Sequence, residues 1–314
     1  MASLQDGKWS QEPIAIVNHS GSFERQDSQF RGSIVPTDVV EGRYHLYVSY
    51  ACPWAHRTLI AHALKKLDNL VPISVTNPFM GEKGWTFASG HDLDYLADVY
   101  RGADAHYSGK ITVPVLWDNR LETIINNESS EILRLFNTSF NHLTQSTIDL
   151  YPSELQNQID KMNDFIYENI NNGVYRVGFA TKQATYEEAF QALFSALDEM
   201  ESVLGQQAFL TGDYFTEADI RFFTTLLRFD PVYYVHFKCN KKLIAQYPNL
   251  YNYLKSIYQI PEVKKTCHFD HIKEHYYKSH KFLNPQRIVP LGPDMDLDAP
   301  HGRGEVVFHN NRPT

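Results

Sequence analysis

The alternating run Tyr44-His45-Leu46-Tyr47-Val48-Ser49-Tyr50 leads directly into Cys52-Pro53-Trp54-Ala55 and an amphipathic stretch, and this constrains the chain more than any other segment. Period-two alternation over 44–50 predicts a strand. Ile60, Ala63, Leu64 and Leu67 repeat at helical spacing, and Lys65 and Lys66 suit the negative end of that helix. Pro53 is tolerated in a first turn, where its missing N–H is not needed. An apolar run over 71–75 completes a strand–helix–strand unit, which implies a parallel pair with a right-handed crossover. A lone cysteine is thereby delivered to the helix start, where free N–H groups and the helix dipole can lower a thiol pKa to roughly 3.5–7.5. Taken alone, a strand-end cysteine is more often a small buried hydrophobe. The adjacent proline and the helix behind it reverse that balance.

Ala55 occupies the place of a second redox cysteine, so local dithiol chemistry is excluded and a thiol from elsewhere must resolve any mixed disulfide. That combination points to glutathione. The other two cysteines, Cys239 and Cys267, are too scattered for a disulfide framework and read as structural, with a reducing, cytoplasmic compartment as the expectation. A net charge of −8 with acids and bases interspersed argues against nucleic acid as a partner. No apolar run reaches the ~18 residues needed to span a bilayer, so no membrane partner is expected. Residues 1–21 lack an apolar signal core.

The 314 residues are enough for two domains. Residues 1–43 read as an extended leader. Residues 44–140 hold the strand–helix–strand unit, a long connection over 77–110, a strand over 112–117 containing Pro114, a short partner strand over 121–125, and a helix opened by Glu128-Ser129-Ser130-Glu131. Helical spacing dominates 150–282: Leu155, Ile159, Met162 and Ile166 form one stripe, and Tyr186, Phe190, Leu193, Leu197, Met200 and Leu204 form a longer one. Thr216-Glu217-Ala218-Asp219 reads as a capping box. One helix is expected over 241–258 and another pairs Ile272 with Tyr276. Residues 283–314 read as an irregular tail. His268, His271, His275 and His280 form a tempting cluster, but without a carboxylate or cysteine at suitable spacing no metal site is assigned.

Several motifs now carry a resemblance. Cys52-Pro53-Trp54-Ala55, Gly84-Trp85-Thr86-Phe87, Val113-Pro114-Val115-Leu116-Trp117-Asp118 and Asn127-Glu128-Ser129 match the glutathionyl-hydroquinone reductases, also called the Xi class of glutathione transferases. So do Asn172-Gly173-Val174-Tyr175 with Gly178-Phe179-Ala180, Arg228-Phe229-Asp230-Pro231-Val232-Tyr233, His275-Tyr276-Tyr277-Lys278-Ser279-His280 and Asp298-Ala299-Pro300-His301-Gly302-Arg303. In order, they run through nearly the whole chain. The resemblance implies an α/β thioredoxin-like N-terminal domain followed by an all-α C-terminal domain, the glutathione transferase fold, commonly as a homodimer.

It also implies roles. Cys52 would be the nucleophile. Val113 would offer its backbone to glutathione beside Pro114, Glu128 and Ser129 would hold the γ-glutamyl end at a helix start, and Trp85 would pack over the ligand. Arg101 would meet the glycyl carboxylate. Tyr175 and Tyr276 would hydrogen-bond the two oxygens of a quinone-like ring in a pocket between the domains and supply a proton. No cofactor would be bound permanently; glutathione would be a co-substrate, and glutathionylated quinones or hydroquinones the substrates. An omega-like thioltransferase or dehydroascorbate reductase shares the cysteine and the fold. A non-catalytic glutathione-fold binding module is a third expectation, which the presence of Cys52 opposes.

Overall fold

Strand β1 (Ser3–Gln5) and strand β2 (Lys8–Trp9) form a hairpin within the stretch read as an extended leader, and β3 (Tyr44–Val48) follows. The hairpin turns on Asp6 and Gly7, both with positive φ, as a two-residue turn in a twisted ribbon requires. A Cβ on Gly7 would stand 1.9 Å from the Ala105 carbonyl oxygen, so only glycine fits. In the computed structural model, which describes residues 2–10, 16–144 and 146–310, the chain divides into two compact units, each assembled from three stretches.

The first unit takes in 1–15, 26–146 and 266–290. On β3, Tyr44, Leu46 and Val48 point into the core while His45 and Tyr47 are half-buried, the alternation seen in the sequence. Helix α1 (Pro53–Leu64) follows, and β4 (Ile73–Val75) returns parallel to β3. The helix stops earlier than its apolar spacing suggests because Lys66 turns left-handed (φ 57). Leu67 N–H then bonds back to His62 O and Lys66 N–H to Ala63 O, a Schellman close that buries Leu67 completely.

The long connection has structure of its own: α2 (Leu96–Ala103) and β5 (Gly109–Lys110), which pairs with β1. Strands β6 (Val115–Asp118) and β7 (Thr123–Asn126) complete a four-stranded sheet in the order β4-β3-β6-β7, with β6 antiparallel to both neighbours. Asp118 fixes their connection: one carboxylate oxygen accepts from the Arg120 and Leu121 N–H groups, the other from Arg43 at 2.7 Å. Helix α3 (Ser129–Thr138) packs on α1. The helix Phe269–Ser279, expected in the helical domain, belongs to this unit.

The second unit takes in 16–25, 147–265 and 291–314. After β8 (Ile148–Asp149) come α4 (Gln156–Ile166), a π turn, α5 (Gly173–Phe179), α6 (Gln183–Leu204) and α7 (Glu217–Arg228), all twelve of whose residues are buried. A second π turn and the short α8 (Tyr234–His236) follow. The helix expected over 241–258 is a 3₁₀ turn and then α9 (Pro248–Tyr258), because Pro248 sets a new first turn. Helix α10 (Pro261–Lys264) closes the series. The tail is tied down: Arg303 donates to the carbonyls of Leu204, Gln207 and Ala208, and β9 (His309–Asn310) pairs with β8.

At the start of α7 the Asp219 carboxylate accepts from Thr216 N–H (2.8 Å), Leu210 N–H (3.0 Å) and the Tyr253 hydroxyl (2.7 Å). Burial pushes this carboxyl up to about 6 despite those bonds. Its folded pKa thus exceeds the unfolded 3.8, so between those values the native state holds the proton and the unfolded chain does not. Stability from this group therefore rises as pH falls from about 6 toward 4. Denaturant unfolding of the wild type and Asp219→Asn across that range will show the wild type gaining on the variant as pH falls; a constant difference would contradict it.

Candidate active site

Cys52 is the N-cap of α1, in extended backbone, with Pro53 at the first helical position. It is half-buried and in no disulfide. Its N–H bonds to Ser49 O at 3.1 Å and its carbonyl accepts from His56 N–H at 3.0 Å, so the turn from β3 into α1 is closed on both sides of the thiol. Ala55, one turn in, is fully buried. The Cys52 Sγ lies 3.7 Å from the carbonyl oxygen of Val113, the residue before Pro114 across a cis peptide bond and just outside the β6 ladder.

Glu128 and Ser129 are placed by the start of α3. Glu128 is the N-cap, its Oε1 accepting from Ser130 N–H (3.1 Å) and the Ser130 hydroxyl (2.9 Å). Its Oε2 accepts from the Ser28 hydroxyl at 3.1 Å, so the leader supplies one wall of this carboxylate. Ser129 is buried and accepts from the Arg57 guanidinium at 3.4 Å. Burial alone would raise the Glu128 carboxyl, but the Ser130 bonds, the charge of Arg57 and the Ser28 bond outweigh it and hold the group below its ordinary value.

Three residues that build this arrangement were not singled out in the sequence: Ser28, Arg57 and Tyr100. Arg57 is 2% exposed, with its guanidinium 4.3 Å from the Trp54 ring centroid, and it connects α1 to α3. An arginine inside the buried run of α1 was the available signal, since a charge is rarely buried without an ionic partner. Tyr100 is buried on α2; its hydroxyl donates to Thr112 O at 2.8 Å and accepts from Asn127 at 3.1 Å. One phenol thus ties the residue before Val113 to the residue before Glu128. Nothing in the spacing separates it from the chain's 18 other tyrosines.

Trp85 is 5% exposed and stacks on His275 of the helix Phe269–Ser279, with ring centroids 4.7 Å apart. Tyr276, buried on the same helix, meets His275 and His280 edge-on. That helix approaches α1 through its cap: Tyr50, two residues before Cys52, stacks on His268 at 3.8 Å, and His56 bonds to Thr266 at 2.8 Å. Cys267 Sγ lies 4.0 Å from the same His56 nitrogen. Arg101 is engaged elsewhere, donating to Gly7 O (2.8 Å) and Asp98 (2.7 Å) and lying over Trp9, so it secures the N-terminal hairpin. Tyr175 belongs to the second unit, where it is buried against Phe23, Phe179, Phe237 and Arg25. Among the described residues, no group of three or more His, Cys, Asp or Glu is placed to hold a metal ion, and no helix is long and apolar enough to cross a membrane.

Comparison with known proteins identifies the family and the fold. The model for the glutathione S-transferase N-terminal domain matches residues 51–139, and that for the C-terminal domain matches 183–256. Glutathionyl-hydroquinone reductase YqjG of Escherichia coli (strain K12) is 49% identical, over 96% of this chain and 98% of its own. Glutathionyl-hydroquinone reductase PcpF of Sphingobium chlorophenolicum is 47% identical, over 95% and 98%. The chain belongs to the glutathionyl-hydroquinone reductases, the Xi class of glutathione transferases. A solved Xi-class transferase from Natrialba magadii superposes with a TM-score of 0.91 at 48% identity, covering 96% of this chain and 97% of that one. The glutathione-bound structure of YqjG superposes with a TM-score of 0.84 at 49% identity, over 87% and 96%.

In this Xi-class chain the depressed Glu128 pKa has a sign opposite to that of Asp219. A folded value below the unfolded 4.5 adds stability above that pH and loses it as pH falls through the folded pKa. The stability difference between wild type and Glu128→Gln should therefore shrink as pH is lowered from about 5 to 3, by denaturant unfolding; a difference that widens on acidification would contradict the assignment.

Proposed function

We propose that this enzyme reduces S-glutathionyl-hydroquinones to hydroquinones at the expense of glutathione. The observation that carries the reading is the half-buried Cys52 at the N-cap of α1, 3.7 Å from the Val113 carbonyl, in a chain about half identical to two proteins named for this activity. In the first step the Cys52 thiolate attacks the sulfur of the conjugate. The sulfur–sulfur bond of a Cys52–glutathione mixed disulfide forms as the carbon–sulfur bond breaks, and its electron pair leaves on the ring carbon. A proton, delivered with help from Tyr276 or Tyr175, completes the hydroquinone, so the ring is reduced and the two sulfurs are oxidised. In the second step the thiolate of a free glutathione attacks the mixed disulfide, oxidised glutathione leaves, and the Cys52 thiolate returns.

Binding follows from the same residues. Val113 offers its backbone to the cysteinyl moiety of glutathione, Glu128 faces the α-amino group, Ser129 and the N-terminus of α3 receive the α-carboxylate, and Trp85 lies over the ligand. Arg101 is left out of this set because its partners are Gly7, Asp98 and Trp9. Ala55 leaves the mixed disulfide to free glutathione rather than to a neighbouring thiol. The proposal includes a homodimer working in a reducing, cytoplasmic setting, which three cysteines outside any disulfide suit.

Replacing Cys52 by alanine should lower turnover of a glutathionyl-hydroquinone by about a thousandfold or more while glutathione still binds. Mass spectrometry of the wild type mixed with the conjugate should find one glutathionyl group on Cys52, and retained turnover in the variant would sink the mechanism. Glu128→Gln should raise the Kd for glutathione about tenfold, the effect of losing one charge-assisted bond, as read by calorimetry. Equal or faster turnover of a simple glutathione mixed disulfide would favour thioltransferase chemistry instead.

A further inference from the structure

Two side chains of the helix Phe269–Ser279 reach back to the segment that carries Trp85. The Nδ1 of His275 lies 3.1 Å from the carbonyl oxygen of Pro78 and 3.3 Å from the Ser279 hydroxyl. A carbonyl only accepts, so Pro78 fixes the proton on Nδ1. Ser279 Oγ in turn accepts from Met80 N–H at 2.9 Å. The imidazole face then stacks on Trp85, with 4.7 Å between centroids and 25° between planes, and its edge meets Tyr276 at 5.2 Å. Two backbone groups, one indole and one phenol thus converge on one histidine and one serine. All of them lie in the first unit.

We infer that His275 and Ser279 are positioning residues: they clasp the Pro78–Trp85 segment to the helix bearing Tyr276, so that glutathione and the aromatic acceptor are bound by one piece that orders as a unit. This rests on the proposed function, in which Trp85 touches glutathione and Tyr276 touches the ring. Ordering the segment for one ligand then lowers the cost of ordering it for the other, so the two ligands bind with positive coupling. A residue that merely held the fold together would weaken both ligands and leave their coupling unchanged.

The test uses the full-length enzyme under anaerobic conditions, with calorimetric titration of glutathione in the absence and presence of a saturating hydroquinone. Wild type should bind glutathione about fivefold more tightly when the hydroquinone is present. His275→Phe keeps an aromatic face for Trp85 but cannot donate to Pro78, whereas His275→Asn keeps a donor at the Nδ1 position and loses the stack. The double variant His275→Phe/Ser279→Ala should bring the coupling to within about 1.5-fold of none and lower kcat for the conjugate about tenfold, with the KM changing less; His275→Asn should restore part of the coupling. Coupling that survives in the double variant, or two ligands that bind wild type independently, would overturn the clasp and leave the proposed function standing. A wild type that neither turns over the conjugate nor binds the hydroquinone would overturn both.

Discussion

A helix buried on eleven of its twelve residues cannot slide, and α1 is such a helix. Full burial of a leucine or isoleucine stabilises by about 1.5–3 kcal/mol, but apolar packing alone tolerates small shifts. The polar side chains on α1 do not. His62 must reach Val71 O, His56 must reach Thr266, and Arg57 must reach Ser129, because each buried polar group left without a partner costs about 1–3 kcal/mol. Hydrogen bonds on three sides therefore fix the helix along and about its axis. Cys52 inherits that precision, since its carbonyl is the first acceptor of the helix.

The carboxylate site is fixed in the same way from outside the sheet. Residues 28–31 run beside the β7–α3 junction: Ser28 bonds Glu128, Phe30 N–H bonds the Asn127 side chain, and Arg31 pairs with Glu131. A stretch that looks featureless by hydrophobic pattern is thus a wall of the site. Its contribution is made by hydroxyls, amides and one ion pair, and those leave no periodic trace.

What could be read from the chain alone follows a physical division. Strand β3, helix α1 and the long stripe of α6 were legible because each buries a face with a simple period. The Thr216–Asp219 cap was legible because local hydrogen bonding needs those residue types at that spacing. Cys52, Trp85, Val113, Glu128 and Ser129 were picked out by motif, and the fold gathers the cysteine with Val113 and the glutamate with Ser129. Ser28 and Tyr100 were not legible, because the role of the first arises from a partner 100 residues away and that of the second from a buried junction of two loops; Arg57 left one sign, a charge inside an apolar run, but not its partner, which lies 72 residues away. The two-residue turn at Asp6-Gly7 was there to be read, but the short strands around it carry too little apolar pattern to announce a hairpin.

Each unit is built from three separate stretches of chain, and this orders events during synthesis. By the time residue 146 has been made, the sheet and α1 are present, yet Thr266, the partner of His56, lies 210 residues beyond it. The helix carrying His275 and Tyr276 comes later still. Cys52 is thus among the first parts of the protein to exist, and its surroundings among the last. A growing chain carries Cys52 on an unfinished unit until residue 290 has been added. The environment that governs the thiol is therefore acquired late, and a cysteine behaving as it does in the folded enzyme reports that translation has passed that point.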